Sequence, residues 1–345
     1  MKENVINYLP LKAYRYLRWL KNEKKIYRYN KKYFTKRYAD ICFQAEKLGY
    51  EKKSQSQVLA AYAKKDAFIL NYLEKLLSDI IDNYKKEKYN LEISLTEPDE
   101  KKIWIFWWTG ADNMPEIVKA CVKSIQRNAN GHEIVMLDKN NYYRYISLPE
   151  IIIDKHERGV IGHAHFSDII RFSLLAEYGG MWIDATVFLS QPIPLNIFSM
   201  KWYTLRSYDA NAVYYSKSRW CGYFIEGDRN FLVFPFVRDC LIAYWKRKNK
   251  VIDYLMMDYI IGLACKYIDD VRESIDSLPD NNTERGRLMK EINEPYSKKL
   301  FENLYNGKTF ASKLSWRYGN PSVRTSEGRL SNYGFLLSLN EEEEI

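Results

Sequence analysis

Three charged residues stand out for what they could do together. Asp168 and Arg171 lie three positions apart within HAHFSDIIRFSLLAEY, one turn apart on a predicted helix, and Asp184 follows the short apolar run Met181, Trp182, Ile183. A fixed-charge guanidinium fork beside a carboxylate can hold hydroxyls and phosphate oxygens. A carboxylate at a strand's carboxyl end stands where open α/β sheets bind ligands. By itself an exposed Asp–Arg pair at i, i+3 is only an intrahelical ion pair, worth roughly 0.2–0.5 kcal/mol. In an otherwise apolar helix, next to Gly179-Gly180 and Asp184, a site explains it better. Three histidines, His156, His163 and His165, also fall close together. Their spacing does not place them on one face with a carboxylate, so they read as loop or helix-entry residues, with at most a phosphate contact.

The elements that must position these groups are legible as periodicities. Ile169, Ile170, Phe172, Leu174, Leu175 and Tyr178 recur at helical spacing, Gly179 and Gly180 stop the helix, and residues 181–183 form a strand suited to a sheet interior. Upstream, residues 103–108 are a β-rich run, turned by Thr109-Gly110-Ala111-Asp112. Residues 114–128 read as a helix with Pro115 in its first turn, and 133–137 as a buried strand closed by Asp138. Strand, helix and strand thus alternate as a nucleotide-binding α/β sheet requires. Asp138 could face a ribose or cap a helix over 140–146, and residues 149–158 form a further short helix. Beyond Pro192 come a strand and turn within 220–228 and helices over 236–248 and 251–268.

The stretch SDIIRFSLLAEYGGMWIDAT resembles the helix, Gly-Gly turn and metal-binding strand of a family of sugar transferases. That family groups capsular polysaccharide synthesis proteins with yeast-type mannosyltransferases and large glucosylating toxins. The resemblance implies a GT-A type, Rossmann-like nucleotide-sugar-binding α/β domain, and hexose transfer with retention from a nucleotide-sugar, of which UDP-hexose is the expected class. It further implies a lipid-linked saccharide acceptor, used in building a surface polysaccharide at the inner face of a bacterial membrane. Asp168 would accept hydrogen bonds from the sugar and Arg171 would bind sugar or diphosphate. Trp108 is the positional match for the ring that stacks on the base, with Trp107 next and Thr109 beside them. Near the end, ASKLSWR resembles the closing loop that meets the diphosphate, which makes Lys313, Ser315 and Trp316 donor-binding candidates.

Where the family usually carries Asp-x-Asp, this chain has Asp184-Ala185-Thr186. A divalent cation held by carboxylate oxygens would stabilise the leaving diphosphate, so Mn²⁺ or Mg²⁺ is expected at Asp184 and Thr186. A hydroxyl is a weaker ligand than a carboxylate, so Asp184 would be the main protein ligand, or the nucleotide would supply most of the coordination. A catalytically degenerate scaffold or regulator at the membrane surface is the alternative. On the acceptor side, Glu226 and Asp228 could reach the reacting sugar or be turn residues. Asp258, a lone carboxylate in an apolar helix, is either bonded to a partner or poised at the acceptor.

The bulk composition suits an enzyme with a large core: 345 residues, 46% of them hydrophobic. No run is long and apolar enough for a membrane span, and no signal-peptide pattern opens the chain. Five unpaired-looking cysteines suggest reduced thiols and the cytoplasm. The net charge of +9 is N-terminal: residues 1–38 hold twelve Lys or Arg against Glu3 and Glu23, the remainder 41 against 42 acidic residues. In that arm Ala13, Tyr16, Leu17, Leu20, Tyr27 and Phe34 share a helical stripe amid basic side chains. The stripe either lies on an anionic membrane surface or packs on the main domain. Nucleic acid is not expected, because the remainder is neutral and shows no known nucleic-acid module. With a second periodic segment over 55–86, the arm makes a helical appendage, residues 1–95. The transferase domain, 96–345, opens after the Glu97-Pro98-Asp99-Glu100 break, and Glu341 to Glu344 form a frayed acidic end.

Overall fold

The computed structural model describes residues 11–85, 101–317 and 321–339. The first ten residues of the basic arm, the break at Glu97 to Glu100 and the acidic end at Glu341 to Glu344 lie outside the described residues.

Four helices come first: α1 (Leu11–Tyr33), α2 (Lys36–Tyr50), α3 (Gln55–Leu76) and α4 (Ser78–Lys85). Thr35 and Ser54 start two of them with side-chain caps, Ser54 through a reciprocal capping box with Gln57. The segment expected as one helix over 55–86 is two, divided at Leu77. Of the expected stripe, Leu20 and Tyr27 on α1 and Phe34 just after it are part-buried, whereas Tyr16 and Leu17 are exposed. Trp19 stacks on Tyr50 of α2, with ring centroids 4.3 Å apart.

The α/β region follows as β1 (Ile103–Phe106), α5 (Glu116–Asn128), β2 (Ile134–Leu137), α6 (Glu150–Glu157), α7 (His163–Tyr178), β3 (Gly180–Ile183) and β4 (Val187–Leu189). It continues with β5 (Trp202–Thr204), β6 (Phe224–Gly227), α8 (Val233–Arg247), α9 (Met256–Tyr267), α10 (Asp269–Ser277), α11 (Arg287–Lys290), α12 (Lys298–Asn306), β7 (Ala311–Lys313) and α13 (Asn332–Ser338). The main sheet has the order β2-β1-β3-β6-β5. β2, β1 and β3 run parallel, and β6 is antiparallel to both β3 and β5. A mixed α/β fold is therefore observed. A second, two-stranded sheet pairs β4 with β7.

Side chains alternate across the main sheet, and this divides the core in two. Ile103, Ile105, Met181 and Ile183 face a cluster built with α5, β4 and the C-terminal helices. Trp104 and Trp182 face the other, built with α7, α8 and α9. Tyr38, Ile69, Leu73, Leu77, Ile81 and Tyr84 join that second cluster, so the N-terminal helices share the core of the α/β region. Two backbone positions set the approach of α7 to β3. Gly179 and Gly180 have φ of +67° and +82°, and a Cβ on Gly180 would stand 2.5 Å from the Lys102 carbonyl oxygen. Only glycine meets both demands without strain.

Candidate active site

Asp184 leaves β3 at its carboxyl end, with its N–H donating to the Tyr223 carbonyl at 2.9 Å. Three residues on, β4 begins, and its antiparallel register with β7 sets Val187 opposite Lys313. That pairing brings together residues distant in sequence. Lys313 Nζ donates to Asp184 Oδ2 at 2.8 Å and to Thr186 Oγ1 at 2.6 Å. From the other side α7 delivers Arg171, whose Nη1 donates to Asp168 Oδ1 at 2.6 Å and whose Nη2 donates to Asp184 Oδ1 at 3.3 Å. Trp182 Nε1 donates to the same Oδ1 at 2.9 Å, and the Arg171 guanidinium lies 4.9 Å from the Trp182 ring centroid. Arg171 is buried, and its Nε finds no partner among the described residues. Asp168, Arg171, Asp184, Thr186 and Lys313 thus form one cluster of two carboxylates and two cations. Burial alone would raise the Asp184 carboxyl, but the charges of Lys313 and Arg171, with hydrogen bonds from Lys313 and Trp182, hold it down at about 2.

Mn²⁺ or Mg²⁺, expected at Asp184 and Thr186, meets a donor set that does not suit it. Hard cations take six or more oxygens, and Mg²⁺ demands near-octahedral geometry. Here both Asp184 oxygens already accept from nitrogen donors, the second position is a neutral hydroxyl, and an ammonium bridges the two. No group of three or more His, Cys, Asp or Glu side chains able to hold a metal occurs among the described residues.

The two tryptophans after β1 point to different sides. Trp108 packs edge-on against His156 and Phe166 and lies 5.3 Å from His163, within an aromatic cluster at the start of α7. Trp107, expected second, faces the Lys313 segment: its ring lies 5.8 Å from that of Trp316, tilted by 73°. The indole N–H of Trp107 is buried with no partner among the described residues, and Trp316 is 43% exposed. Ser315 Oγ accepts from the Arg317 N–H in a turn, and Thr109 is exposed, its carbonyl accepting from Asn113. Asp138 caps the turn after β2, its Oδ1 accepting from the Asn140 N–H at 2.6 Å, while Oδ2 faces Gly110. The helix expected over 140–146 is a single 3₁₀ turn, Tyr142–Arg144.

Two acceptor-side expectations are not brought to this cluster. Glu226 pairs in register with Met181 near the beginning of β3, the end opposite Asp184, and is fully buried against Lys101 at 2.7 Å. Burial raises its carboxyl to about 8 despite Lys101. Asp228 is a turn residue, with its Oδ1 accepting from the Asn230 N–H and its carbonyl from the Phe231 N–H. Asp258 differs. It is buried in the first turn of α9, accepts from Trp220 Nε1 at 2.9 Å, and follows Met257, whose Sδ meets Arg171 Nη1 at 3.2 Å. Burial, with the nearby Asp168 charge, raises its carboxyl to about 7 against the Trp220 bond. Its partners are the Trp220 indole and the Ser216 hydroxyl, not a basic side chain. Of the histidines, His156 stacks on Phe166 and its Nδ1 meets the Ile161 carbonyl at 2.9 Å, His163 lies against Trp108, and buried His165 has its Nδ1 3.8 Å from Asp168 Oδ2 at the edge of the cluster.

Trp182, Tyr223 and Met257 also belong to the site, although they are not among the expected site residues. Strand alternation does place Trp182 on the face opposite Met181 and Ile183. Tyr223 and Met257 carried no usable signal.

The fold is thus of the mixed α/β class, with a strand-end carboxylate set between a lysine and a helix-borne arginine on a partly parallel sheet. The chain belongs to the capsular polysaccharide synthesis protein family, whose profile matches residues 48–331. Among curated proteins it is similar to an O-glycosyltransferase, braB, of Annulohypoxylon truncatum, at 28% identity over 34% of this chain and 30% of that protein. It is also similar to an O-glycosyltransferase, PaGT, of Phomopsis amygdali, at 31% identity over 27% of this chain and 25% of that protein. The alignments thus span less than a third of either relative. A solved structure described as the PaToxG glycosyltransferase overlaps 70% of this chain and 94% of its own, at 13% identity and a TM-score of 0.36. Among the described residues no helix is long and apolar enough to cross a membrane.

Proposed function

We propose that this chain is a glycosyltransferase of GT-A type that moves a hexose from a nucleotide-sugar, UDP-hexose being the expected class, to a lipid-linked saccharide in surface polysaccharide synthesis. The observation that carries the reading is the cluster of Asp168, Arg171, Asp184 and Lys313 at the carboxyl end of β3, a parallel strand in a family of capsular polysaccharide synthesis proteins. In the transfer, the bond between the anomeric carbon and the diphosphate oxygen breaks and its electron pair stays with the diphosphate. The acceptor hydroxyl oxygen forms the new bond, with retention, and its proton passes to the departing diphosphate oxygen. Arg171 and Lys313 supply positive charge where the diphosphate gains negative charge. Asp168 orients Arg171 and accepts from a sugar hydroxyl. Trp107 and Trp316, which meet edge to face, offer a ring face to the base, and Asp258 lies on the acceptor side.

The chain works as a peripheral protein on the cytoplasmic face of the cell membrane. Along α1, Tyr16, Leu17 and Ile26 are exposed among Arg15, Arg18, Lys24, Lys25 and Arg28, a pattern that suits anionic lipid. A second reading, a degenerate scaffold, is favoured by Thr186 standing where a second carboxylate would serve.

Thermal unfolding with UDP, GDP, CMP and their common sugars, together with chromatography of released nucleotide, tests the two readings. One nucleotide should stabilise the wild type by mass action and its sugar should be slowly hydrolysed, both effects being lost in Arg171→Ala. A well-folded chain silent to every nucleotide would sink the transferase reading in favour of the scaffold.

A further inference from the structure

The geometry points to Lys313 as a built-in cation: its ammonium fills the place between Asp184 and Thr186 that a divalent ion would take, and binds the donor's diphosphate without one. A metal ion ligates carboxylate and hydroxyl oxygens at about 2.0–2.6 Å. Nζ already stands 2.8 Å from Asp184 Oδ2 and 2.6 Å from Thr186 Oγ1, so an ion bonded to both would overlap it. Moving Lys313 aside would leave a part-buried ammonium without those partners. Nor is Lys313 carried on a loose loop. It ends β7 in register with Val187, its N–H donates to the Arg285 carbonyl at 2.8 Å, and Leu314 N–H donates to the Thr186 carbonyl at 2.9 Å. The Tyr223 ring flanks it, with Nζ 4.8 Å from the centroid.

The same arrangement leaves a ligand valence open. An ammonium has three donors, and Asp184 and Thr186 engage two of them. The third, on a side chain that is 30% exposed, is available to a phosphate oxygen. Within the cluster, two carboxylates already balance Arg171 and Lys313, so a divalent ion would add uncompensated positive charge among Arg171 and Lys313. A diphosphate instead brings the negative charge that a lysine and an arginine can share. Thr186 then has a role that a second aspartate would not serve, since a hydroxyl accepts from the ammonium without cancelling its charge.

The diphosphate half of this inference rests on the nucleotide-sugar reading, whereas the exclusion of a divalent ion does not, and the experiment separates them. Mn²⁺ is titrated into the full chain alone and followed by the electron paramagnetic resonance of the free ion. The wild type should leave that signal undiminished; uptake of one equivalent, lost in Asp184→Asn, overturns the inference. UDP and GDP are then titrated calorimetrically in EDTA and in Mn²⁺. The bound nucleotide should bind equally in both, weaken by about ten- to hundred-fold in Lys313→Ala, as loss of a charged hydrogen bond implies, and recover in Lys313→Arg. Binding that requires Mn²⁺, or that Lys313→Ala leaves unchanged, overturns it. Silence of both nucleotides in both buffers defeats the donor reading, with Mn²⁺ uptake still deciding what fills the place between Asp184 and Thr186.

Discussion

Asp184→Asn keeps the shape of the side chain and removes its charge, so it isolates what the carboxylate contributes. In the folded protein Lys313 and Arg171 overcome the burial penalty and lower its carboxyl from 3.8 to about 2. Each unit is about 1.36 kcal/mol of preference for the charged form, so the ionised carboxylate stabilises the fold by about 2 kcal/mol at pH 7. With an unfolding entropy of about 2.1 cal/mol/K per residue, a chain of 345 residues should melt about 3 °C lower in the variant. The sign with pH follows from the direction of the shift. A depressed carboxyl stabilises above its unfolded value and loses that contribution as pH falls through its folded value, so the difference between variant and wild type should halve by about pH 3. Urea unfolding at pH 7 and pH 3 measures this directly. A difference that is the same at both pH values, or absent at pH 7, would refute the electrostatic account of the cluster. A larger loss in Lys313→Ala than in Asp184→Asn would instead mean that packing of the lysine stem dominates.

The opposite sign is expected at the far end of β3. Burial raises Glu226 to about 8, so the folded state binds its proton more tightly than the unfolded chain, and stability should fall as pH rises from 5 to 8. Glu226→Gln should flatten that slope in urea titrations while leaving nucleotide binding unchanged; altered binding would return Glu226 to the site. Gly180→Ala should destabilise by at least about 2 kcal/mol or fail to fold, because its φ is +82° and its Cβ would collide with the Lys102 carbonyl; near-normal stability would mean that β3 can shift. Reversing the exposed charges of α1 in Lys24→Glu, Lys25→Glu, Arg28→Glu should weaken sedimentation with anionic vesicles and leave the melting temperature within a degree or so, as surface substitutions usually do. Unchanged vesicle binding would leave the helix as solvated surface.

Much of the site was legible because its parts are local. Asp168, Arg171, the glycine pair and Asp184 fall within one helix, one turn and one strand, and the periods of those elements aim them at one place. Glu226 shows where that reasoning stops. A carboxylate at the end of a short strand looks the same whichever way the strand runs, and only the antiparallel pairing of β6 with β3 sends it to the opposite end of the sheet. Trp107 and Trp108 divide for a similar reason: adjacent residues leave a strand on opposite sides, and both sides here carry an aromatic partner.

By itself the sequence determined the order of elements from β1 to β3, the glycine stop before β3, the strand-end carboxylate with its arginine, and the concentration of positive charge in the first helix. These rest on backbone geometry and side-chain periodicity, which act over a few residues. The tertiary structure decided the rest. It sets Lys313 on Asp184 across 129 positions of chain, through a two-stranded pairing whose register no local pattern records. It buries Asp258 against Trp220 and Glu226 against Lys101. It also folds the N-terminal helices into the core of the α/β region. Each of these is a contact between distant segments. Its free energy comes from desolvation and charge pairing that do not exist until both segments are in place.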